Sequence, residues 1–437
     1  MKESSKAAVE VWSPFPPQPS GVADYVCEQL EELSSAFALT LVSDLPAEVD
    51  RGLLERFEVV PPEQSNHAAL RLYHVGNSPA HGWIYREALR VPGVVVLHEW
   101  NLHELVLGLS VTSSNFDDYR LQMRREHGER GSVAADTIAS ALGGRHWTSL
   151  FPLNAEILGQ ALAVVCLSGS TAARVSARVP GTPLLHLPHH ALLRSNASDR
   201  STARARLGFA PDARIVLAPG LATTSKSLEV AREAVKAIRP QIPNLKLVTV
   251  GGGSGRPKDG SSGSEMVMGR VDLETLGDAL LAADVILALR FPSRGEASGV
   301  LMRALAAGRA SVVSSGSSAD EDLPEGVVAR VNPGRTEAQE LSAVLLHLLT
   351  NPDARRRMER LALETARNHS APLLTNLLAR FLVEVGEQRS GLEETLRERN
   401  SRGHMVRERF RDDLHAAASS LGLTHLPSNV FERLAGL

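Results

Sequence analysis

The chain has 437 residues, of which 43% are hydrophobic and 22% are charged. These fractions are ordinary for globular proteins, so they exclude a chain that is disordered or fibrous throughout. The 47 Lys and Arg residues nearly balance the 50 Asp and Glu residues, for a formal net charge of −3, and this balance argues against nucleic acid as a partner.

In the first half of the chain, short β-branched runs alternate with amphipathic segments. The helical spacing of apolar residues predicts a helix over Val22–Leu33. The short runs predict strands at Ala8–Ser13, Phe37–Ser43, Leu70–Val75, Val94–His98, Ala163–Ser168 and Pro183–Pro188.

The alternation restarts after the polar stretch Leu193–Ala203. Strands are predicted at Ile215–Pro219, Leu245–Val250, Val285–Leu289 and Ala310–Ser314. Helices are predicted at Leu228–Ile238, Leu273–Ala283 and Ser298–Ala307. Thr336 and Gln339 have the spacing of a capping box, which predicts the start of a further helix.

This order of elements predicts an α/β fold with parallel sheets covered by helices on both faces. Two such series predict two Rossmann-like domains, residues 1–195 and 196–385, with a ligand cleft between them. Residues 386–437 are predicted to form a charged helical extension. Its apolar end could pack on the protein itself, which we favour, or contact a partner.

In open parallel sheets, ligands bind beyond the carboxyl ends of the strands. The residues predicted at those ends are Ser13, His98, Ser168, Gly220, Gly251, Arg290 and Ser314. Among them, His98 is the candidate for polar chemistry, although a structural histidine would also fit this position.

The segment Gly220–Ser227 joins a strand to a helix and contains Lys226. A lysine beside free backbone N–H groups at a helix start favours a phosphate. The segment differs from a P-loop because Ser225 replaces the second glycine, which argues against an NTPase. The alternative is an exposed loop lysine without a ligand.

A second segment, Arg290–Gly308, places Glu296 just before a helix whose first turn contains Ser298 and Gly299. The helix amides could hold a phosphate, and the carboxylate could hold sugar hydroxyls. The alternative is a helix capped by Glu296 and Ser298 that needs no ligand.

Three other motifs carry weaker signals. The glycine run Gly251–Gly255 lacks the spacing of a dinucleotide fingerprint and is interpreted as a flexible loop. The acidic triplet Asp320–Asp322 and the histidines of His186–His190 lack a complete set of metal ligands, so we interpret both as structural. No metal site is predicted.

Taken together, these segments resemble glycosyltransferases of the GT-B fold, and family 4 in particular, over the chain to about residue 385. The most specific segment is GEASGVLMRALAAGRASVVSS, which resembles the donor motif of that family. PGLATTSK, SPFPPQPSGVADYV and LHEWN resemble its lysine segment, its N-terminal glycine loop and its active-site histidine segment.

The resemblance implies a role for each matching residue. Lys226 would neutralise the donor diphosphate, together with backbone at Gly220 and the amides of Ser298 and Gly299. Glu296 would bind hydroxyls of the transferred sugar, and His98 would face that sugar. Two further implied contacts are backbone at Gly21 with the phosphate and backbone at Met268 with the nucleobase.

Two positions depart from the family pattern. The diphosphate arginine of the family is replaced by Leu221, and we expect Arg290 to supply that charge. The second glutamate of the donor motif, which holds the ribose, is replaced by Ala304. Nucleotide recognition must therefore differ from the family pattern.

The resulting prediction is a retaining hexosyltransferase that moves a sugar from a nucleotide-diphosphate donor to an acceptor without a metal or another cofactor. The acceptor would be read by the region Leu102–Leu153. A non-catalytic subunit that binds sugar nucleotides or glycans is the alternative from another class, and a phosphorylase or epimerase on the same fold is a third hypothesis.

The compartment is predicted from two further observations. The only cysteines, Cys27 and Cys166, cannot build a disulfide scaffold and fit a reducing environment. We also find no apolar run near the ~20 residues of a membrane helix and no secretory signal pattern. A cytoplasmic protein without a transmembrane segment is expected.

Overall fold

The structure, a computed structural model, describes residues 6–66, 68–112, 115–140, 142, 147–220, 227–251 and 265–420. The side chains of 319, 320 and 402–420 are outside this description. By their contacts, the described residues divide into two compact units. The first comprises the chain up to Cys166, Ala172–Leu185 and the chain from Leu378 onward; the second comprises Leu167–Thr171 and His186–Leu377.

The first sheet has seven strands: β1 Ala8–Trp12, β2 Ala38–Val42, β3 Glu58–Val60, β4 Leu70–Val75, β5 Val94–Leu97, β6 Ala163–Cys166 and β7 Leu184–His186. Their spatial order is β3-β2-β1-β4-β5-β6-β7. The five pairs from β3 to β6 are parallel. Every residue of β4, β5 and β6 is buried, because helices on both faces of a parallel sheet exclude water from it.

The helices of this half are α1 Gly21–Cys27, α2 Leu30–Ala36, α3 Arg51–Leu54, α4 Gly82–Arg90, α5 His103–Thr112, α6 Phe116–Ala139, α7 Trp147–Leu150, α8 Ala155–Gln160 and α9 Gly169–Arg178. The single helix predicted over Val22–Leu33 is instead the pair α1 and α2, interrupted at Glu28 and Gln29. Apolar spacing continues through the break, so periodicity alone could not reveal it.

The second sheet has six strands: β8 Arg214–Pro219, β9 Leu245–Val250, β10 Glu265–Val267, β11 Val285–Ala288, β12 Ala310–Ser314 and β13 Ala329–Val331. Their order is β10-β9-β8-β11-β12-β13, and all five neighbouring pairs are parallel. The sequence missed β3, β10 and β13. Each has only three residues and lies at or near a sheet edge, where the hydrophobic pattern is weakest.

The remaining helices are α10 Arg200–Arg206, α11 Leu228–Ile238, α12 Leu273–Ala282, α13 Gly299–Ala306, α14 Ser318–Glu321, α15 Glu337–Thr350, α16 Pro352–Asn368 and α17 Ala371–Ser420. The helix start predicted at Thr336 is confirmed, since Thr336 is the N-cap of α15, but the predicted capping box does not form. Thr336 Oγ1 contacts Glu340 Oε1 at 3.1 Å, and Thr336 makes no side-chain bond to the helix backbone.

Helix α17 is 50 residues long and includes much of the predicted extension. Arg389 donates to the carbonyls of Ala68 and Ala69 at 3.0 and 3.1 Å. Arg399 donates to the carbonyl of Gly159 at 2.5 Å. These contacts lie within the first unit and hold the helix against it at two points. Among the described residues, no helix combines the length and apolar character needed to cross a membrane.

Candidate functional site

The strand order of the second sheet places its ligand-binding edge. Strands β8 and β11 are neighbours in space, although β9 and β10 lie between them in sequence. The chain turns to opposite sides of the sheet at this pair, and ligands of doubly wound sheets bind beyond its carboxyl ends. Those ends lead to Gly220 and Arg290, two of the residues predicted from sequence.

Two glycines let the loops after β8 and β9 approach each other. Gly220 has a φ of 99° and donates its N–H to the carbonyl of Val250 at 2.8 Å. A Cβ on Gly251 would lie 2.9 Å from the carbonyl carbon of Gly220, and Gly251 also has a positive φ of 87°. Side chains are therefore excluded from this crossing. Nearby, the N–H of Met268 donates to the carbonyl of Thr249 at 2.9 Å. Of the two backbone polar groups of Met268, its carbonyl is therefore the one left for another contact.

The loop between β11 and α13 is organised around Glu296, which is 6% exposed. Its Oε1 lies 3.0 Å from Nη1 of Arg290, and its Oε2 accepts from the N–H of Arg294 at 2.6 Å. The N–H of Arg290 donates to Ser314 Oγ at 2.9 Å, which ties the end of β11 to the end of β12. The structure thus brings three predicted strand-end or site residues into one cluster.

Helix α13 begins directly beyond this cluster. Ser298 caps it, with Oγ accepting from the N–H of Leu301 at 3.2 Å. Glu296 takes no part in that cap. The alternative interpretation, a helix capped by Glu296 and Ser298, is therefore confirmed for Ser298 and wrong for Glu296. Gly299 is enforced by packing, because a Cβ there would lie 2.9 Å from Nε2 of His189. The imidazole of His189 is held by a 2.8 Å contact between its Nδ1 and the carbonyl of His190.

Residues that sequence reasoning missed support the same loop. Thr171 Oγ1 donates to the carbonyl of Gly295 at 3.1 Å, and Gly295 turns the chain with a φ of 78°. Ser293 Oγ lies 3.2 Å from Ser318 Oγ and accepts from the N–H of Ser318 at 3.3 Å. Single serines and threonines carry no signal in one sequence, because these side chains are common in all loops.

In the first unit, His98 follows β5 and is 8% exposed. Its Nε2 lies 3.1 Å from Nδ1 of His74, and the ring of Tyr25 meets it edge-on at 5.1 Å between centroids. His74 is held in turn, since its carbonyl contacts Nδ1 of His81 at 3.0 Å. A histidine inside the buried strand β4 was the available signal for His74, and sequence reasoning overlooked it.

Burial sets the protonation of this histidine cluster. Burial lowers the pKa of His74 to about 3, with the charge of His81 as a smaller cause. The pKa of His81 falls to about 4 for the same main reason, opposed by its bond to the His74 carbonyl. Burial also raises the pKa of Tyr25. His74 and His81 are therefore neutral near pH 7, and His98 faces an uncharged partner.

Gly21 begins α1, whose N-cap Ser20 accepts from the N–H of Val22 at 3.2 Å. A Cβ on Gly21 would meet nothing within 4 Å, so packing does not require a glycine here. Its predicted role stays a prediction. Lys226, Leu221 and the glycine loop beyond Gly251 lie outside the described residues.

Ala304 is fully buried in an apolar cluster of the second unit.

Asp322 of the acidic triplet accepts from the N–H of Gly169 at 2.8 Å and lies 3.4 Å from Nε2 of His186. Burial is the largest single influence on the pKa of Asp322 and would raise it, but the hydrogen bonds with His186 and Gly169 and the charges of His186 and His369 together hold that pKa below its ordinary value. Among the described residues, no group of three or more His, Cys, Asp or Glu could hold a metal ion.

Residues 213–351 match the family model described as Glycosyl transferases group 1. No curated protein matches the chain in sequence at a significant level.

Solved structures share the fold over most of the chain. WaaG, a glycosyltransferase involved in lipopolysaccharide biosynthesis, superposes with a TM-score of 0.57 at 14% identity, covering 86% of this chain and 99% of its own. Sucrose-phosphate synthase from Thermosynechococcus elongatus superposes with a TM-score of 0.60 at 14% identity, covering 87% of this chain and 99% of its own. Anabaena HepE, solved with UDP and glucose, superposes with a TM-score of 0.56 at 12% identity, covering 86% of this chain and 99% of its own. The fold and the resemblance to GT-B glycosyltransferases are confirmed; membership of family 4 stays a prediction.

Proposed function

We propose that this protein is a glycosyltransferase that moves a sugar from a nucleotide-diphosphate donor to an acceptor, with retention of anomeric configuration and without a metal ion. The observation that carries the proposal is the Arg290–Glu296 pair beyond the carboxyl end of β11. It lies inside the segment that matches the glycosyltransferase family model. HepE, which shares the fold, was solved with UDP-glucose, and this supports a nucleotide-sugar donor.

In the proposed site, the second unit holds the donor. A carboxylate such as that of Glu296 accepts hydrogen bonds from two sugar hydroxyls, while Arg290 and Lys226 neutralise the diphosphate. The N–H groups at the start of α13 add donors, and Gly299 keeps side chains away from them. The nucleobase meets the carbonyl of Met268, since its N–H is already bonded to Thr249.

The proposed reaction needs stabilisation of the leaving group above all. The acceptor hydroxyl oxygen attacks the anomeric carbon from the face that the diphosphate leaves, and the bond between that carbon and the diphosphate oxygen breaks. The electron pair stays on the diphosphate, and a phosphate oxygen takes the acceptor proton. The proposed role of Lys226 and Arg290 is to stabilise the negative charge that develops on the departing diphosphate. We assign His98 to contact with the sugar and the region Leu102–Leu153 to binding of the acceptor.

The test is transfer or hydrolysis of labelled UDP-, GDP-, ADP- and dTDP-sugars by the full chain in EDTA. We expect one donor class to be consumed, with the product anomer matching the donor anomer by NMR. Lys226→Ala should abolish turnover while the protein keeps its cooperative unfolding transition. Near-normal turnover by Lys226→Ala, or inversion of the anomer, would contradict the proposal.

The alternative function is a non-catalytic subunit that binds sugar nucleotides. The burial of Ala304 favours it, because the ribose-binding carboxylate expected at this position is missing. Binding of a donor with no hydrolysis and no transfer to any acceptor would support this alternative. Consumption of a donor would exclude it.

We also propose a cytoplasmic location. Both cysteines of the chain, Cys27 and Cys166, are free thiols, as expected in a reducing compartment. Fractionation of expressing cells tests this part of the proposal separately from activity.

A further inference from the structure

An arginine cluster lies at the edge of the second sheet opposite to the candidate site. Arg309 directly precedes β12 and Asp284 directly precedes β11, so both lie at the amino ends of strands. Arg200 begins α10, and Arg355 lies in α16. This edge plays no part in the proposed transfer reaction.

Three guanidinium groups converge on one carboxylate oxygen. Oε1 of Glu359 lies 2.7 Å from Nη2 of Arg200, 3.8 Å from Nη1 of Arg309 and 3.9 Å from Nε of Arg355. Only the first distance is that of a hydrogen bond. One carboxylate therefore faces three cations and is within hydrogen-bond distance of Arg200 alone, while Arg355 donates from Nη1 to the carbonyl of Leu348 at 3.3 Å.

The second carboxylate of the cluster is already committed. Asp284 is 1% exposed, and its Oδ2 accepts from Nη2 of Arg204 at 2.9 Å and from the N–H of Ile215 at 2.8 Å. Each nitrogen of the Arg204 guanidinium makes a hydrogen bond, because Arg204 also donates to the carbonyls of Ala282 and Pro211. Arg200 reaches Asp284 only at 3.7 Å. With four guanidinium groups and two carboxylates, the cluster holds an excess of positive charge.

Several donors of the cluster are left over. The Nε atoms of Arg200, Arg309 and Arg355 are buried and have no hydrogen-bond partner among the described residues. The side chain of Arg309 is 12% exposed, and its Nη1 lies 3.8 Å from Glu359, which is beyond hydrogen-bond distance. Burial, together with the charge of Arg200, lowers the pKa of Arg309 to about 10. Buried cations without acceptors are strongly unfavourable, so a compensating anion is expected.

We propose that Arg200, Arg309 and Arg355 form a binding site for a small tetrahedral oxyanion of the phosphate class. Guanidinium groups match such anions because each presents parallel N–H donors to two oxygens. The anion adds the negative charge and the acceptors that Glu359 cannot supply to three cations. Access is from the side of Arg200, whose side chain is 27% exposed, while Arg309 and Arg355 lie deeper.

Inorganic phosphate is the probe, titrated against the full chain at constant ionic strength with chloride as the balancing salt. Because a ligand of the folded state raises its stability, we expect a saturable rise in Tm. Arg309→Gln should weaken the apparent phosphate affinity at least tenfold. The matched control, Arg356→Gln, changes an arginine of the same helix as Arg355 that is 59% exposed, and it should leave the affinity unchanged.

Two further variants keep the proposal open to refutation. Lys226→Ala should retain the phosphate effect, because the proposed diphosphate site is a different one. If Arg309→Gln does not fold, Arg200→Gln at the exposed side of the cluster must show the loss of affinity. The proposal is overturned if the wild-type chain shows no saturable effect. It is equally overturned if Lys226→Ala loses the effect while the arginine variants keep it.

Discussion

Nη1 of Arg290 lies 3.0 Å from Oε1 of Glu296. The arginine expected to supply the positive charge that Leu221 lacks is therefore paired with the residue expected to hold the transferred sugar. The other carboxylate oxygen accepts from the N–H of Arg294. Both oxygens of Glu296 are thus oriented by the protein. In the proposed function, this pair couples recognition of the sugar to recognition of the diphosphate.

Glu296→Gln tests that coupling. The amide keeps the shape of the side chain but loses the charge that faces Arg290. Hydrogen bonds to charged groups contribute about 1.5–3 kcal/mol, so we expect sugar transfer to fall by about 10- to 100-fold. Glu325→Gln, at an exposed position of the same unit, serves as the control and should transfer at the wild-type rate. A Glu296→Gln rate within twofold of wild type would exclude Glu296 from the site.

The histidine cluster predicts how stability depends on pH. His74 and His81 have folded-state pKa values of about 3 and about 4, below the ordinary 6.5. Below pH 6.5 the unfolded chain binds protons at these histidines and the folded chain does not. The free energy of unfolding is therefore fully retained above that pH and falls as the pH drops, by up to about 1.4 kcal/mol per pH unit for each histidine.

Urea unfolding between about pH 7.5 and pH 5 measures this slope. His74→Asn keeps a polar atom near Nε2 of His98 but removes one titrating group, so its slope should be smaller by up to about 1.4 kcal/mol per pH unit. His347→Gln, at an exposed position of α15, should keep the wild-type slope. An unchanged slope in His74→Asn would mean that His74 is not held neutral by burial.

Gly299→Ala tests the packing at the start of α13. The added Cβ would lie 2.9 Å from Nε2 of His189, whose ring is held by the carbonyl of His190. Overpacking of this kind costs about 1–3 kcal/mol, which should appear as a lower free energy of unfolding. The double variant His189→Ala/Gly299→Ala removes the clash and should lose less stability than the two single changes combined. Strict additivity would contradict the contact.

Ala304→Glu introduces, at a position with 0% exposure, the glutamate that the resemblance to family 4 would place there. Its neighbours in the cluster are apolar, so the new carboxylate would be buried without a partner. We expect a loss of at least about 3 kcal/mol in unfolding free energy and no gain in nucleotide affinity. Ala343→Glu, at an exposed position of α15, should be nearly neutral. Tighter nucleotide binding at unchanged stability would show that the glutamate can reach the ribose.

The central strands and their carboxyl ends could be predicted from sequence because they are long apolar runs followed by polar residues. The same reasoning found Arg290 and Glu296 but not their pairing, since a distance across a loop leaves no periodic signal. His74 escaped because it lies inside a strand. The arginine cluster escaped for a different reason: its members come from α10, from α16 and from the residues just before β11 and β12, and they meet only through the topology.

The most direct test of the nucleotide-sugar claim is a thermal-shift panel of UDP, GDP, ADP, dTDP and their sugars, in phosphate-free buffer with EDTA. A ligand of the folded state must raise Tm. The account predicts a saturable rise with one nucleotide class, retained in EDTA and lost in Lys226→Ala. No rise with any nucleotide, or a rise of equal size in Lys226→Ala, would contradict it.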